Sequence, residues 1–156
     1  MKGNARIFIV LTAAFVCLSS CMEKYKQIGI TSFDVESVSP TGLKSAEARV
    51  KVGVHNPAGT VQLRDINGVL RHDSTTLVVL RATDVRLAPR CDSTYTLWVT
   101  GNLAEGVSLL NVVPLLHANG LEAVTADLSA KATLKNGLGK EITFKDIPLK
   151  DMNNKR

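Results

Sequence analysis

The sequence predicts a mainly β, antiparallel domain, a sandwich or barrel with one helix between its late strands, behind a membrane-targeting leader. Three observations carry this. Apolar and polar residues alternate with period two in several stretches, and turn residues recur at intervals of roughly ten positions. An uncharged run near the start ends in two serines and a cysteine.

The leader comes first. The chain has 156 residues, enough for one ordinary domain once a leader is removed. Lys2 and Arg6 make a short basic region, and Ile7 to Leu18 carry no charge. That run falls short of the about 20 apolar residues that cross a bilayer, but it suits the core of a signal peptide. Leu18-Ser19-Ser20-Cys21 resembles the lipobox read by the bacterial lipoprotein signal peptidase. Small residues before the cysteine let the backbone enter the peptidase, and the thiol carries the diacylglycerol. The expected division is 1–20 signal peptide, 21–28 lipidated tether, 29–150 β domain and 151–156 polar tail. Diacylglycerol and an N-acyl chain on Cys21 together supply the two-chain anchoring that stable membrane attachment needs. No other cofactor is expected. Met22, in place of the Asp that retains many lipoproteins at the inner membrane, points to the outer membrane, facing the periplasm.

Charge and cysteine content narrow the functions. The chain is +5, and removing Lys2 and Arg6 leaves 17 basic against 14 acidic residues, or +3. The basic residues are scattered, with no run or aromatic-interleaved stripe, so nucleic acid is not an expected partner. With Cys17 lost and Cys21 lipidated, Cys91 stands alone, so the mature domain is expected to fold without an internal disulfide.

Strands follow in order. Ile30 to Val38 is the first. From Ala46 to His55, Ala48, Val50, Val52 and Val54 alternate with Glu47, Arg49, Lys51 and Gly53, a half-buried strand with its valines inward. Asn56-Pro57-Ala58-Gly59 turns the chain. Val61 to Leu70, interrupted by Asp65 and Asn67-Gly68, predicts a bulged strand. Leu77 to Leu80, Asp84 to Leu87 and the Thr/Tyr/Trp-rich stretch Ser93 to Gly101 come next. The last pair is a hairpin: Val124 to Leu134 alternates, Asn136-Gly137-Leu138-Gly139 turns, and Lys140 to Leu149 returns. Small residues at Ala126, Ala130 and Ala132 imply a face covered by bulkier side chains. The helix is expected over Asn102 to Asn119, with Asn102 as cap, Glu105 at capping-box spacing and a kink at Pro114. Its many leucines and valines leave little polar face, so it should lie on the sheet or cover a groove.

Alternating valines ending in Asn-Pro (Ala48 to Pro57), then Ile66-Asn67-Gly68-Val69-Leu70 and the stretch Asp92 to Val99, are similar to the late embryogenesis abundant type 2 family, also called the water-stress and hypersensitive-response domain. The resemblance runs from about Ile28 to Leu149. It implies a fibronectin-III/immunoglobulin-like antiparallel β-sandwich of seven strands with a helix at one side. It also implies stress protection, and for some relatives a lipid-transfer role through an apolar groove. The family has no catalytic residues to carry over.

Chemistry is otherwise sparse. His55, His72 and His117 have no short metal-binding spacing, and neither a nucleophile elbow nor a phosphate-binding glycine loop is present. Trp98 reads as core or sheet surface rather than a ligand platform. The expected function is thus a non-enzymatic, membrane-anchored binding module, with an envelope protein as partner. The alternative is a carrier of a lipid or other apolar ligand beneath Leu109, Val113 and Leu116.

Overall fold

The structure is a computed structural model that describes residues 24–116 and 121–149. Cys21, the expected leader 1–20 and the expected tail 151–156 lie outside the described residues. The alternating stretches form strands β1 (Gly29–Pro40), β2 (Ser45–Asn56), β3 (Val61–His72), β4 (Thr75–Ala82), β5 (Val85–Leu87), β6 (Cys91–Leu103), β7 (Val124–Leu134) and β8 (Gly139–Pro148). Every pairing is antiparallel. The hydrogen-bonded order is β1-β2-β6-β4-β3-β7-β8, with β5 paired to the start of β3. An eighth, three-residue strand is thus added to the seven that the resemblance implies.

This is a mainly β, antiparallel sandwich-like fold with a short helix between its late strands. One layer is β1-β2-β6 and the other is β3 with β4, β5, β7 and β8. They are joined because β4 crosses to β6, Val78 to Ala82 pairing with Leu103 to Val99. Val50, Val52 and Val54 of β2 bury against Val61, Leu87 and Ala132, which lie on strands that β2 does not hydrogen-bond. Packing between layers, not the ladder, therefore makes the core. Fully burying a valine or leucine contributes roughly 1.5–3 kcal/mol. The predicted period-two face is observed directly: the three valines are buried and Arg49, Lys51 and His55 are exposed. Ala126, Ala130 and Ala132 are buried as their size implied.

Two local motifs have physical explanations. Asn56, only 1% exposed, ends β2 and staples three backbone segments. Its Nδ2 donates to the carbonyls of Gly59 (3.0 Å) and Ala88 (2.7 Å), and its Oδ1 accepts from the Ala58 N–H at 3.0 Å. The Asn-Pro pair is therefore a structural clasp between the β2–β3 and β5–β6 turns. In β3 the expected bulge occurs as a register shift between Arg64 and Asn67, with Asp65 at φ 50°. The strand then continues through Gly68, where a Cβ would lie 2.5 Å from Leu128 Cδ2 and 3.0 Å from the Asp127 carbonyl oxygen. Close packing, not a turn, requires that glycine.

The helix differs from expectation. Asn102 is no cap: it lies in β6, opposite both Ser45 and Val79. Ladder bonds extend beyond it, Leu103 N–H donating to the Lys44 carbonyl and Ala104 N–H to that of Leu77. Pairing on two sides satisfies more backbone than a helix start could, so the strand wins. Gly106, at φ 77°, turns the chain, and a single helical turn α1 (Leu109–Val112) begins after Ser108. A 3-10 turn, Val113–Leu116, follows. Pro114 has no N–H to donate to an α-helical bond, which accounts for the tighter turn there. Residues 117–120 lie outside the described residues.

Candidate functional site

The register fixes which loops share an end of the sandwich. Gly29 lies opposite His55, Asn56 opposite Cys91, and Val61 opposite both Leu87 and Leu134. The segment leading into β1, the Asn56-Pro57 turn, the β5–β6 turn and the β7–β8 turn therefore cluster at one end. Pro40 lies opposite Ala46, Ser45 opposite Asn102, and Val78 opposite Leu103. The β1–β2 turn and α1 thus occupy the other end. Twelve residues of β1 at about 3.3 Å each separate the two ends by about 40 Å.

The distal end carries the candidate groove. Leu109, the first residue of α1, lines an open depression of about 360 Å³ with Leu43, Lys44, Leu103, Gly106, Val107 and Ser108. Val113 is not among its lining residues and is 48% exposed. Leu116 closes the 3-10 turn, and its side chain lies outside the described residues. The residue of this segment that is buried is Val112. Sequence reasoning missed Leu43 and Leu110, which are 91% and 84% exposed and flank the same depression or follow it directly on α1. An apolar residue in the turn Thr41-Gly42-Leu43-Lys44 was the available clue.

A second, polar depression of about 300 Å³ lies over the β3 bulge, lined by Asp65, Asn67, Arg81, Ser129, Ala130, Lys131 and Glu141. Asp65 accepts a hydrogen bond from Lys131 Nζ at 2.9 Å, which raises the Lys131 pKa above its ordinary value. On the outer face of β1 and β2, Glu36 meets Lys51 at 2.5 Å and Arg49 at 2.7 Å. Hydrogen bonds from Lys51 first, then Arg49, hold its carboxyl below the usual range. Trp98 lies opposite Arg49 with its ring exposed on the sheet surface, the guanidinium 6.0 Å from the ring centre.

The titratable residues singled out from sequence do not converge. His55 Nδ1 bonds Asp92, its partner across β2 and β6, and His72 Nδ1 lies 3.5 Å from Asp73 at the β3–β4 turn. His117 lies outside the described residues. Among the described residues no three His, Cys, Asp or Glu side chains group to hold a metal. Cys91 is a free, half-buried thiol 3.2 Å from Ser93 Oγ. No helix among the described residues is long and apolar enough to cross a membrane.

These features define a small β-sandwich with an exposed apolar end and a polar sheet face. No protein-family model matches the chain, and no curated protein matches it. Among solved structures it is similar to a protein from Archaeoglobus fulgidus, with 12% identity, a TM-score of 0.45, and coverage of 75% of this chain and 97% of that one.

Proposed function

We propose that this chain is a non-enzymatic envelope lipoprotein, anchored through acyl chains on Cys21, whose late embryogenesis abundant type 2-like sandwich is a binding and stress-protection module. The observation that carries the binding role is the apolar cluster at the end remote from the tether: Leu43, Leu109, Leu110 and Val113 are all exposed. Contiguous exposed apolar surface on a small domain marks an interaction site. A tether at one end and an apolar surface about 40 Å away suit a protein that reaches from the outer membrane toward a partner in the periplasm.

The experiment has two arms. Acyl labelling of cells should mark the wild-type protein and not Cys21→Ala; an unchanged labelled band in the variant refutes the anchor. Cross-linking in intact envelopes should capture a reproducible protein partner, lost in Leu43→Glu/Leu110→Glu with the fold intact. A partner retained by that variant refutes the apolar end as the binding surface.

The depression beside α1 supports the alternative, a carrier of a lipid or other apolar ligand. At about 360 Å³ it falls at the low end of the roughly 300–1,000 Å³ of small-molecule sites. Stoichiometric lipid in mass spectra of the purified protein, lost in Leu109→Glu, would favour the carrier over the protein-binding module.

A further inference from the structure

We infer that the tether end of the sandwich is a docking face for an anionic lipid bilayer, with Leu138 as its inserted residue, which orients the domain upright on the membrane. The inference rests on the anchoring reading for its geometry and goes beyond it: the lipid would hold the protein at the membrane, and this face would set its angle.

Charge pairing across the domain is the first observation. Away from the tether end most cations are neutralised or hydrogen-bonded: Arg49 and Lys51 by Glu36, Arg71 by Asp127 and Asp146, Lys131 by Asp65, and Arg64 by Gln62. At the tether end they are not. Lys24, Lys26, Arg86, Arg90, Lys135 and Lys140 are exposed, and among the described residues their side chains have no ion pair or hydrogen bond. Of the acids near this end, Asp92 is already bonded to His55, and Glu141 follows Lys140 on β8. The other unpaired cations, Lys44, Arg81 and Lys145, are scattered. The distal end carries Asp73, Glu105 and Glu122 beside Lys44, so the balance of charge differs between the two ends.

The hairpin is the second observation. The β7–β8 turn projects from the tether end, and Leu138 at its tip is 61% exposed between Lys135 and Lys140. The chain holds it there: Gly137 takes φ 84°, Leu138 N–H donates to Asn136 Oδ1 at 3.2 Å, and the Leu138 carbonyl accepts from Leu134 N–H at 2.8 Å. An exposed apolar tip flanked by lysines is the arrangement that inserts among headgroups while its cations meet lipid phosphates.

The reach of the tether identifies the occupant. Lys24 follows Cys21 by three residues, which span at most about 10 Å when extended. Tyr25 and Ile28 already pack on the core. With acyl chains on Cys21, Lys24 would sit within about a Debye length of the headgroups, and the other unpaired cations share its end of the sandwich.

The test uses the full lipidated protein in vesicles, with an environment-sensitive dye on Leu138→Cys in a Cys91→Ser background. In phosphatidylglycerol/phosphatidylethanolamine vesicles the dye should shift to an apolar environment, and in phosphatidylcholine it should stay in water. The shift should fall by about fivefold or more in Lys135→Glu/Lys140→Glu, and vanish at high salt. A dye that stays in water on anionic vesicles, or that shifts equally on phosphatidylcholine, overturns the inference. Mass spectrometry of Cys21 in the same sample separates the two readings. Acylated protein with a silent dye defeats the docking face alone, whereas a responsive dye on unacylated protein defeats the anchor and upholds the face.

Discussion

Removing the Asn56 carboxamide is the sharpest test of how this fold holds together. Asn56→Ala deletes three hydrogen bonds, to Gly59, Ala88 and Ala58, at a site 1% exposed. Each is worth about 1 kcal/mol net, and a partner left buried and unpaired costs about 1–3 kcal/mol. Gly59 is exposed and can recruit water, while Ala58 is buried and its N–H loses the acceptor it has here. The expected loss is therefore about 3–4 kcal/mol, a large share of the about 5–15 kcal/mol that stabilises a typical domain. For a domain of this size the midpoint should fall by about 10 °C or more. Urea unfolding followed by circular dichroism measures it, with a lower midpoint and an unchanged slope expected. Asn56→Asp keeps the acceptor but offers no hydrogen to two carbonyl oxygens, so it should be at least as damaged. A loss below about 1 kcal/mol in Asn56→Ala would mean that the clasp is incidental and the argument from its bonds is wrong.

Gly68→Ala should cost about 1–3 kcal/mol by overpacking, because the Asp127 carbonyl cannot rotate away as a side chain could. Denaturant unfolding reads this, and a neutral result would show that β3 and β7 separate freely there. Glu36→Gln should flatten the acid limb of the stability curve. The folded-state pKa of Glu36 is depressed by Lys51 and Arg49, so its contribution is present above the unfolded value of about 4.3 and is lost as pH falls through the folded value. Unfolding measured from pH 6 to pH 2 checks this, and identical curves for wild type and variant would remove Glu36 from the acid response.

Much of the fold was legible because period two is a local property. Val50, Val52 and Val54 face inward for the same steric reason in any sheet, and Asp65 with Gly68 marked the bulge within two positions. The helix was misjudged because its cap competed with tertiary pairing. Asn102 and Leu103 look like a helix start until β2 and β4 are set beside them, and no local pattern encodes that two-sided ladder. The candidate site was harder still. Leu109 reached the depression, but Leu43 joins it only because the β1–β2 turn and α1 meet at one end. The role of Asn56 was likewise hidden, since Ala88 lies 32 positions away in the chain.

The crossing of β4 onto β6 has a consequence for behaviour in a crowd. A sandwich of two separate sheets exposes four edge strands, each a template for pairing with another chain. Here one continuous ladder runs from β1 to β8, and the other edge is the three-residue β5 beside β3. Both ends of that ladder are poor templates: β1 breaks register twice, between Ile30 and Ser32 and between Val35 and Ser37, and ends in Pro40. β8 carries Lys140 and Lys145. When copies of the domain meet, such edges keep encounters from becoming extended sheets.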